Sequence, residues 1–448
     1  MAHTGQAGGT HFDALYKKVT WKILPWLLLG YIIAYLDRVN IGFAKLAMLS
    51  DLGMSDAAYG LGAGIFFVGY FIFEVPSNLM LHKVGAKMWI ARIMVTWGLV
   101  SATMAFTVPI AQALGVSNES VFYVMRFLLG VSEAGFFPGV ILYLTYWYPS
   151  SMHSRVMSIV LLGNPCSYIL GGPISGALMY FMGKGATLSG WQWMFIIEAA
   201  PAVLLGVVVL FVLSDGIHSA KWLSAAEKTE LVRRIAADSS EKVNVPLKSL
   251  YSLPVLWFLT LIYVLMQIGI YGINFWAPTI IRDAGVNSVL DVGLIAALPY
   301  ILGATAMVLI SRQAERSGKH RTYAVWVSII AAVGLLLCTL FPHNLVFTLA
   351  GIAIAVGGSL TAIALFWGFP GTYFTGATAA AGIAIINSVG NLGGFIGPYL
   401  LGALTTLFGS PRYGLMILGA SLLLSGLLMA FAGKKSSGPD GANMVASR

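Results

Sequence analysis

The stretch Gly172-Pro173-Ile174-Ser175-Gly176 lies in a long apolar segment and has a counterpart in the second half of the chain. The counterpart is Gly397-Pro398 followed by Gly402, in an equally glycine-rich segment. A second repeat relates the short basic loops at residues 81–87 and 314–320. These repeats predict that the chain consists of two related halves, in which the two Gly-Pro segments occupy corresponding positions.

The composition predicts that these halves lie in a membrane. The chain has 448 residues, of which 58% are hydrophobic and 10% charged. A soluble domain carries about 25% charged residues. Twelve apolar stretches, each about 20 residues long and thus able to cross a bilayer, occur between residues 19 and 432. We therefore predict an all-α integral membrane protein with twelve transmembrane helices in two pseudo-symmetric six-helix bundles.

The domain boundaries follow from the apolar stretches and from the one long charged segment between them. We predict an N-terminal tail (1–18), a first bundle (19–214), a linker (215–250), a second bundle (251–432) and a C-terminal tail (433–448). In the linker, Ser224 and Glu227 have the spacing of a capping box, which predicts a short surface helix. We assign this linker no chemistry.

Basic residues predict the orientation, because cytoplasmic loops retain lysine and arginine. Most of the 26 lysines and arginines fall in the tails, the linker and the loops on the same side. Lys45, Lys184, Arg282 and Arg412 fall on the opposite side. Both termini are then expected to be cytoplasmic. The net charge of +9 reflects this topology, so no nucleic-acid partner is expected.

Four ionisable residues fall inside predicted spans, where each costs roughly 2.5 to 3.5 kcal/mol. They are Asp37 and Arg38 in span 1, and Arg126 and Glu133 in span 4. Neighbouring helix residues point about 100° apart, so each needs a partner on another helix. Their depths favour crosswise pairing of Asp37 with Arg126 and of Arg38 with Glu133. A static salt-bridge network that holds the two spans together is the alternative.

This arrangement suits coupling between an anion and a proton. An arginine neutralised by a carboxylate attracts a substrate carboxylate weakly, whereas protonation of its partner frees the guanidinium for bidentate binding. We therefore predict proton-coupling roles for Asp37 and Glu133 and substrate-binding roles for Arg38 and Arg126. The predicted partners are a small organic anion, protons and the lipid bilayer.

Around these charges, the substrate cavity should offer hydrogen-bonding and aromatic side chains. Gln267, Tyr271 and Asn274 share one face of span 7 at helical spacing. The same side chains could instead hold helices together. The candidates are Tyr70, Gln267, Tyr271, Asn274, Trp276, Trp367, Asn387 and Asn391. For Glu74 and Glu198, nearer the span ends, and for the glycine-rich regions at 171–172 and 393–394, we favour structural roles.

The halves, the Gly-Pro segments and the basic loops resemble the major facilitator superfamily. Within it, residues 35–40 (YLDRVN), 74–78 (EVPSN), 126–139 (RFLLGVSEAGFFPG) and 191–198 (WQWMFIIE) resemble the anion:cation symporter family. The resemblance covers residues 20 to 432 and is nearest to bacterial tartrate and hydroxyphenylacetate permeases. It implies uptake of organic anions such as tartrate, sugar acids or aromatic acids, commonly with protons, across the bacterial cytoplasmic (inner) membrane.

The resemblance also implies gates in the loops after spans 2 and 8. The residues concerned are His82, Lys83, Gly85, Glu315, Arg316 and Gly318. The superfamily usually has an acidic residue where this chain has His82, so we expect a modified latch there. A neutral histidine can accept one hydrogen bond and a protonated one cannot. We expect a monomer that needs no cofactor other than the coupling protons.

Other function classes are less consistent with the sequence. A channel, uniporter or exchanger of the same fold remains the alternative to symport. An enzyme would need a nucleophile with a base or a metal cluster, and we find no such grouping within the spans. An ATP-driven pump would need a phosphate loop ending in Gly-Lys-Ser or Gly-Lys-Thr, which the sequence lacks. The two cysteines, Cys166 and Cys338, indicate neither a disulfide framework nor a metal site.

Overall fold

The computed structural model describes residues 7–185, 187–239, 250–374 and 376–432, and this part of the chain contains helices and no strand. Twelve helical segments are long and apolar enough to cross a membrane, which confirms the predicted number. We number them spans 1 to 12: Ala14–Leu52, Asp56–Val84, Ala86–Leu114, Asn118–Thr145, Arg155–Met182, Gly190–Val212, Pro254–Asp283, Val289–Ser317, His320–Leu340, Leu345–Tyr373, Ala381–Phe408 and Arg412–Met429.

Five spans consist of more than one helix. The component helices are Ala86–Thr103, Met104–Phe106 (a 3-10 turn) and Thr107–Leu114 in span 3, Asn118–Glu133 and Phe136–Thr145 in span 4, Ser150–Leu161 and Gly163–Met182 in span 5, Leu345–Phe366 and Pro370–Tyr373 in span 10, and Gly376–Gly390 and Gly393–Phe408 in span 11. The helix of span 1 runs without a break over Ala7–Leu52.

The break in span 4 follows directly from its sequence. Pro138 lacks the N–H that would bond to the carbonyl of Ala134, and its ring clashes with that carbonyl, which favours a kink or a break at this point. Ala134 takes an extended ψ of 131°, and Gly135 takes a φ of +88°, which is unfavourable for residues with a Cβ. The first helix of span 4 therefore ends at Glu133, and this carboxylate lies at the break.

The linker contains the predicted surface helix, Ala225–Ser239. The Ser224 N–H donates to Glu227 Oε2 at 2.7 Å, and the Glu227 N–H donates to Ser224 Oγ at 3.2 Å, which confirms the capping box. Lys18 forms an ion pair with Glu227 at 2.9 Å, so the linker helix contacts the start of span 1. The first helix begins at Ala7, so the boundary predicted at residue 19 lies inside it. Residues 1–6, 240–249 and 433–448 of the predicted tails and linker lie outside the described residues.

Spans 1 to 6 and 7 to 12 form two six-span bundles that meet closely at one end of the molecule. We call this the far end, because the loops after spans 1, 5, 7 and 11 lie there, opposite the linker. Spans 5 and 8 approach through Gly172, where a Cβ would lie 2.7 Å from the carbonyl oxygen of Gly293. Spans 2 and 11 approach through Gly64, where a Cβ would lie 2.7 Å from the carbonyl oxygen of Phe395. Glycines allow this backbone contact, as predicted for the glycine-rich region of span 5.

Candidate functional site

The predicted contact between Arg38 and Glu133 is present. Arg38 Nε donates to Glu133 Oε1 at 2.8 Å, and Nη2 donates to the same oxygen. Both side chains are buried, and Glu133 Oε2 has no hydrogen-bond partner among the described residues. One carboxylate oxygen thus holds the guanidinium while the other has unused accepting capacity.

Aromatic rings enclose the Arg38 guanidinium. Its central carbon lies 4.7 Å from the ring centroid of Tyr35 and 5.2 Å from those of Phe66 and Tyr70. Arg38 Nη1 also approaches the Tyr271 hydroxyl of the second bundle at 3.5 Å. Cations are attracted to ring faces at these distances. The structure therefore brings the predicted residues Tyr70 and Tyr271 to Arg38, where the two bundles meet.

The predicted pairing of Asp37 with Arg126 is wrong in this structure. Asp37 Oδ2 accepts from Trp97 Nε1 at 2.9 Å, and Oδ1 accepts from Ser101 Oγ at 3.1 Å. Oδ1 also accepts from Asn40 Nδ2 at 3.4 Å. Since Arg38 faces span 4, its neighbour Asp37 is rotated by about 100° and faces span 3. Neutral donors therefore surround this carboxyl.

Arg126 instead binds the backbone of span 2. Its Nε donates to the Gly62 carbonyl and its Nη2 to the Ala63 carbonyl, both at 3.2 Å. The side chain is fully buried, and Nη1 has no hydrogen-bond partner among the described residues. In this conformation the predicted substrate-binding guanidinium is enclosed by protein, although one donor is unused.

The predicted polar residues of the second bundle form two small groups. Gln267 Nε2 donates to Asn391 Oδ1 at 3.2 Å. The Tyr263 hydroxyl donates to Asn387 Oδ1 at 3.5 Å, and the ring of Tyr263 lies 4.9 Å from that of Trp367. Trp367, Asn387 and Asn391 are half-buried. These groups lie on the linker side of Tyr271, since Tyr263 and Gln267 precede it by two turns and one turn of span 7.

Asn274 uses both ends of its amide. Its Nδ2 donates to the Tyr168 hydroxyl at 2.8 Å, and its Oδ1 accepts from the Tyr300 hydroxyl at 3.0 Å. The two tyrosine rings stack at 4.7 Å. They border a cavity of about 10 Å³ that is also lined by Val39 and Phe43. The ring of Tyr168 lies 6.5 Å from that of Tyr35, which places Asn274 beyond the rings that surround Arg38.

Trp276 lies in the far-end contact between the bundles and not beside Arg38, which corrects its predicted place in the cavity. The ammonium of Lys45 lies 3.3 Å from the centroid of a Trp276 ring. The same ammonium pairs with Asp56 at 2.8 Å and donates to Thr279 Oγ1 at 3.3 Å. We call these four residues the far-end cluster. Lys45 of span 1 thus contacts Trp276 and Thr279 of span 7, and these contacts close the far end.

The predicted gate residues lie at the linker end. His82, Lys83, Glu315 and Arg316 are exposed, and within the described segments none of these four forms an ion pair. Gly85 ends span 2 with a φ of +99°, and Gly318 ends span 8 with a φ of +65°. Both glycines therefore provide backbone conformations that other residues adopt with strain. The roles of these six residues as gates stay a prediction.

Sequence reasoning missed several partners because they are neutral or distant in the chain. Trp97, Ser101 and Asn40 carry no charge that would have marked them as partners of Asp37. Lys45 had a usable signal, because it follows Arg38 by seven residues and so shares its helix face.

A comparison of sequences identifies the family. The profile of the Major Facilitator Superfamily matches residues 27–398. This chain therefore belongs to the major facilitator superfamily. It is 46% identical over 415 residues to a protein of Agrobacterium vitis named "Putative tartrate transporter", covering 92% of this chain and 93% of that protein. It is 43% identical over 419 residues to a Pseudomonas putida protein named "Putative metabolite transport protein NicT", covering 93% and 94%.

Solved structures agree with this family at the level of the fold. The xylose transporter XylE from E. coli in an inward open conformation aligns with a TM-score of 0.72 at 15% identity, covering 94% of this chain and 97% of that one. This chain is thus a multi-pass membrane transporter and not an enzyme.

Proposed function

We propose that this transporter carries a small organic anion into the cell together with protons, by alternating access. The observation that carries this proposal is the buried pair of Arg38 and Glu133, enclosed by aromatic rings and in contact with Tyr271 of the second bundle. A charge in this position is costly unless it is paired or hydrated, and such residues typically mark a transport pathway. Here the partner is a group that can itself be neutralised by a proton.

Coupling follows from competition for the guanidinium. While Glu133 is ionised, it occupies Arg38 Nε and Nη2. Protonation of Glu133 weakens that hold and leaves planar donors for the carboxylate of a substrate. By reciprocal linkage, an anion bound to Arg38 favours the protonated form of Glu133 to the same extent. Asp37 is the second proposed proton carrier, on the other face of span 1.

The substrate class rests on the chemistry of the site and on the names of relatives. A tartrate-like dicarboxylate, a sugar acid and an aromatic acid each combine a carboxylate with groups that rings, hydroxyls and amides can contact. The relative named as a tartrate transporter supports the first of these. Protons are the proposed coupling ion, no cofactor is required, and a monomer suffices because each bundle supplies part of the site.

The distribution of basic residues supports the proposed orientation. The linker end carries the exposed His82, Lys83 and Arg316, together with the linker helix, and is proposed to be cytoplasmic. The far end is then outside, and both termini are inside a bacterial cell, in its cytoplasmic membrane. The closed far-end cluster makes the described conformation closed to the outside.

Transport by purified protein in lipid vesicles tests the proposal. Vesicles with an acidic exterior should accumulate a labelled tartrate, sugar acid or aromatic acid above its external concentration, and a protonophore should abolish the accumulation. Arg38→Met should remove saturable uptake, because the aliphatic chain packs against the rings without donating. Uptake that stops at equal concentrations whatever the proton gradient would instead establish a uniporter or exchanger.

A further inference from the structure

A second buried carboxyl lies close to Asp37. Glu198 of span 6 is buried, and its Oε1 accepts from Ser175 Oγ of span 5 at 2.7 Å. The amide of Asn40 also approaches this carboxyl, and its Nδ2 donates to Asp37 Oδ1 at 3.4 Å. One fully buried asparagine therefore lies between two carboxyls, Asp37 and Glu198, that the chain places on different helices.

No cation among the described residues acts on Glu198, whereas Glu133 and Arg126 of span 4 both act electrostatically on its neighbour Asp37. Span 1 presents Asp37 and Asn40 to it, and span 5 presents Ser175. Span 3, which packs along span 6, contributes no charged contact to Glu198 among the described residues. Ionisation of a buried carboxyl without a cation is costly, and ionisation of two neighbouring carboxyls is costlier still. The neutral form of at least one carboxyl is therefore strongly favoured.

Unused hydrogen-bonding capacity points the same way. Glu198 Oε2 and Asn40 Oδ1 are both buried and have no hydrogen-bond partner among the described residues. Two acceptors without a donor need a proton or a water. A proton on Glu198 converts Oε2 from an unsatisfied acceptor into a donor. The local polar balance thus improves when this carboxyl is protonated.

The position of Glu198 relates it to the far end. It lies about two turns inside span 6 from Trp191, and Phe195 lies between them on the same face. Both aromatic side chains are fully buried, and Trp191 Nε1 donates to Asp51 Oδ2 at 2.7 Å. Asp51 is exposed at the far end. In this closed conformation, two aromatic side chains therefore separate Glu198 from the nearest exposed carboxylate.

We propose that Glu198 and Asp37, bridged by Asn40, form one coupled proton-binding pair, with Glu198 the member nearer the far end. The proposal rests on the proposed proton symport and adds a binding residue to it. Loss of a proton from either carboxyl disfavours loss from the other, so the pair titrates as a unit. Transfer between them moves one proton and leaves every other bond unchanged. Glu198 acts through Asp37 and is not in contact with Arg38 or Glu133 in this structure.

Two substitutions should shift the pH dependence of anion exchange in opposite directions. Glu198→Gln removes a neighbouring negative charge, so the remaining carboxyl should lose its proton at a lower pH, with a midpoint about one pH unit below wild type. Ser175→Ala removes a donor to ionised Glu198, so its midpoint should rise. The measurement is exchange of labelled substrate in lipid vesicles between pH 5 and 9, with the maximal rate recorded separately.

The controls separate titration from packing. Glu198→Asp keeps a carboxyl and should restore a pH profile closer to wild type than that of Glu198→Gln. A purely structural Glu198 would lower the maximal rate in these variants without moving the midpoint, and this result would overturn the pair. Unchanged midpoints in Ser175→Ala would overturn it even if Glu198→Gln did not fold. If the wild-type protein exchanged anions but did not accumulate them under a proton gradient, only the proposed symport would be contradicted. The pH midpoints of exchange would still test the pairing of Glu198 with Asp37.

Discussion

In the proposed mechanism, the guanidinium of Arg38 has two competing partners, the carboxylate of Glu133 and the carboxylate of a substrate. Breaking a buried ion pair by removing one partner typically costs about 3 to 5 kcal/mol, because the other charge remains buried. Protonation of Glu133 followed by anion binding replaces the Glu133 carboxylate by the substrate carboxylate. Arg38 is then not left as a buried charge without a partner. The close enclosure of Arg38 by rings makes this exchange the simplest way to keep its charge compensated.

Replacement of Glu133 by glutamine imitates its protonated form. Glu133→Gln should retain exchange of labelled anion across the vesicle membrane, because Arg38 is then permanently available. Accumulation driven by a proton gradient should be lost, since position 133 no longer takes up a proton. The measurement is exchange and gradient-driven uptake on the same preparation.

Arg92→Lys provides a control for this experiment, because Arg92 stacks on Trp89 at 3.8 Å, away from the site. Both activities should persist in that variant. Gradient-driven accumulation by Glu133→Gln at the wild-type level would contradict a coupling role for Glu133.

Sequence reasoning found Arg38 and Glu133 because charges inside apolar spans are rare. Their similar depths in spans 1 and 4 were enough to predict their contact. It gave Asp37 the wrong partner, since helix rotation relative to its neighbours is set by side-chain packing that the sequence does not display. The partner predicted for Arg126 was wrong for a related reason. Its partners are the carbonyls of Gly62 and Ala63, and every residue has a carbonyl.

Spans 5 and 8 meet without intervening side chains. A Cβ on Gly293 would lie 2.9 Å from the Cα of Gly176, and the carbonyl of Gly172 would be closer still. These neighbours are backbone atoms, which cannot turn aside as a flexible side chain can. A single methyl group at this position should therefore separate the two spans and weaken the closed far end.

Gly293→Ala should increase opening at the far end. A cysteine introduced at Ala277, which is buried in the described conformation, reports the opening when Cys166 and Cys338 are first replaced by serine and alanine. Its reaction with a water-soluble maleimide should accelerate several-fold in the Gly293→Ala background. Gly371→Ala is the matched control, because nothing lies within 4 Å of a Cβ there. Equal labelling rates in the two backgrounds would show that spans 5 and 8 do not limit opening.

The linker helix offers a pH-dependent contact outside the spans. The capping N–H of Ser224, followed by the ammonium of Lys18, holds the pKa of Glu227 below its ordinary value. A depressed pKa means that ionised Glu227 stabilises the folded protein fully above about pH 4.3, and that this stabilisation is lost as pH falls through the lower pKa of the folded state.

Glu227→Gln should therefore reduce thermal stability at pH 7, and this reduction should shrink progressively as pH falls below about 4.3 and through the lower pKa of folded Glu227. The reduction should be at most about 1 kcal/mol, because the Lys18 partner is exposed and the pair is screened. Melting temperatures of both proteins across this pH range provide the measurement. A difference that grew toward low pH would have the wrong sign for a depressed pKa.

Element positions were largely predictable, because bilayer thickness requires long apolar runs between polar loops. Breaks within spans were harder to predict. Pro138, three residues after Gly135, gives a local reason for the break in span 4, whereas span 11 is interrupted after Gly390 at a sequence without a proline nearby. Packing against span 7 explains part of this, since a Cβ on Gly393 would lie 2.5 Å from the carbonyl of Val264.

The molecule as a whole is described in one state of a transport cycle, closed at the far end by the far-end cluster and by glycine contacts. If protons and anion favour one another, the stabilisation by a ligand must depend on pH. Purified protein should show a larger rise in melting temperature with a saturating organic anion at pH 5.5 than at pH 7.5. Equal shifts at both values would argue for anion binding without proton linkage.

The two-bundle fold was predictable from composition and the repeated Gly-Pro segments, because membrane proteins satisfy backbone hydrogen bonds within helices. The closed end was not predictable, since the proposed alternating access requires the same sequence to adopt both closed and open arrangements. Lys45 and Trp276 show this clearly. Each has a polar or aromatic side chain suited to a cavity, yet both lie in the contact between the bundles.

The glycine contacts between the bundles have a further consequence for turnover. A leucine buried at such a contact would lose about 0.5 to 1 kcal/mol of side-chain conformational entropy whenever the contact formed. It would regain that entropy whenever the two spans separated. Glycine has no rotamers to freeze, so the backbones of spans 5 and 8 can dock and separate with little entropic difference between the two arrangements. Under the proposed alternating access, side-chain entropy at these glycines would thus favour neither arrangement, and ligand binding and the remaining contacts would set the balance.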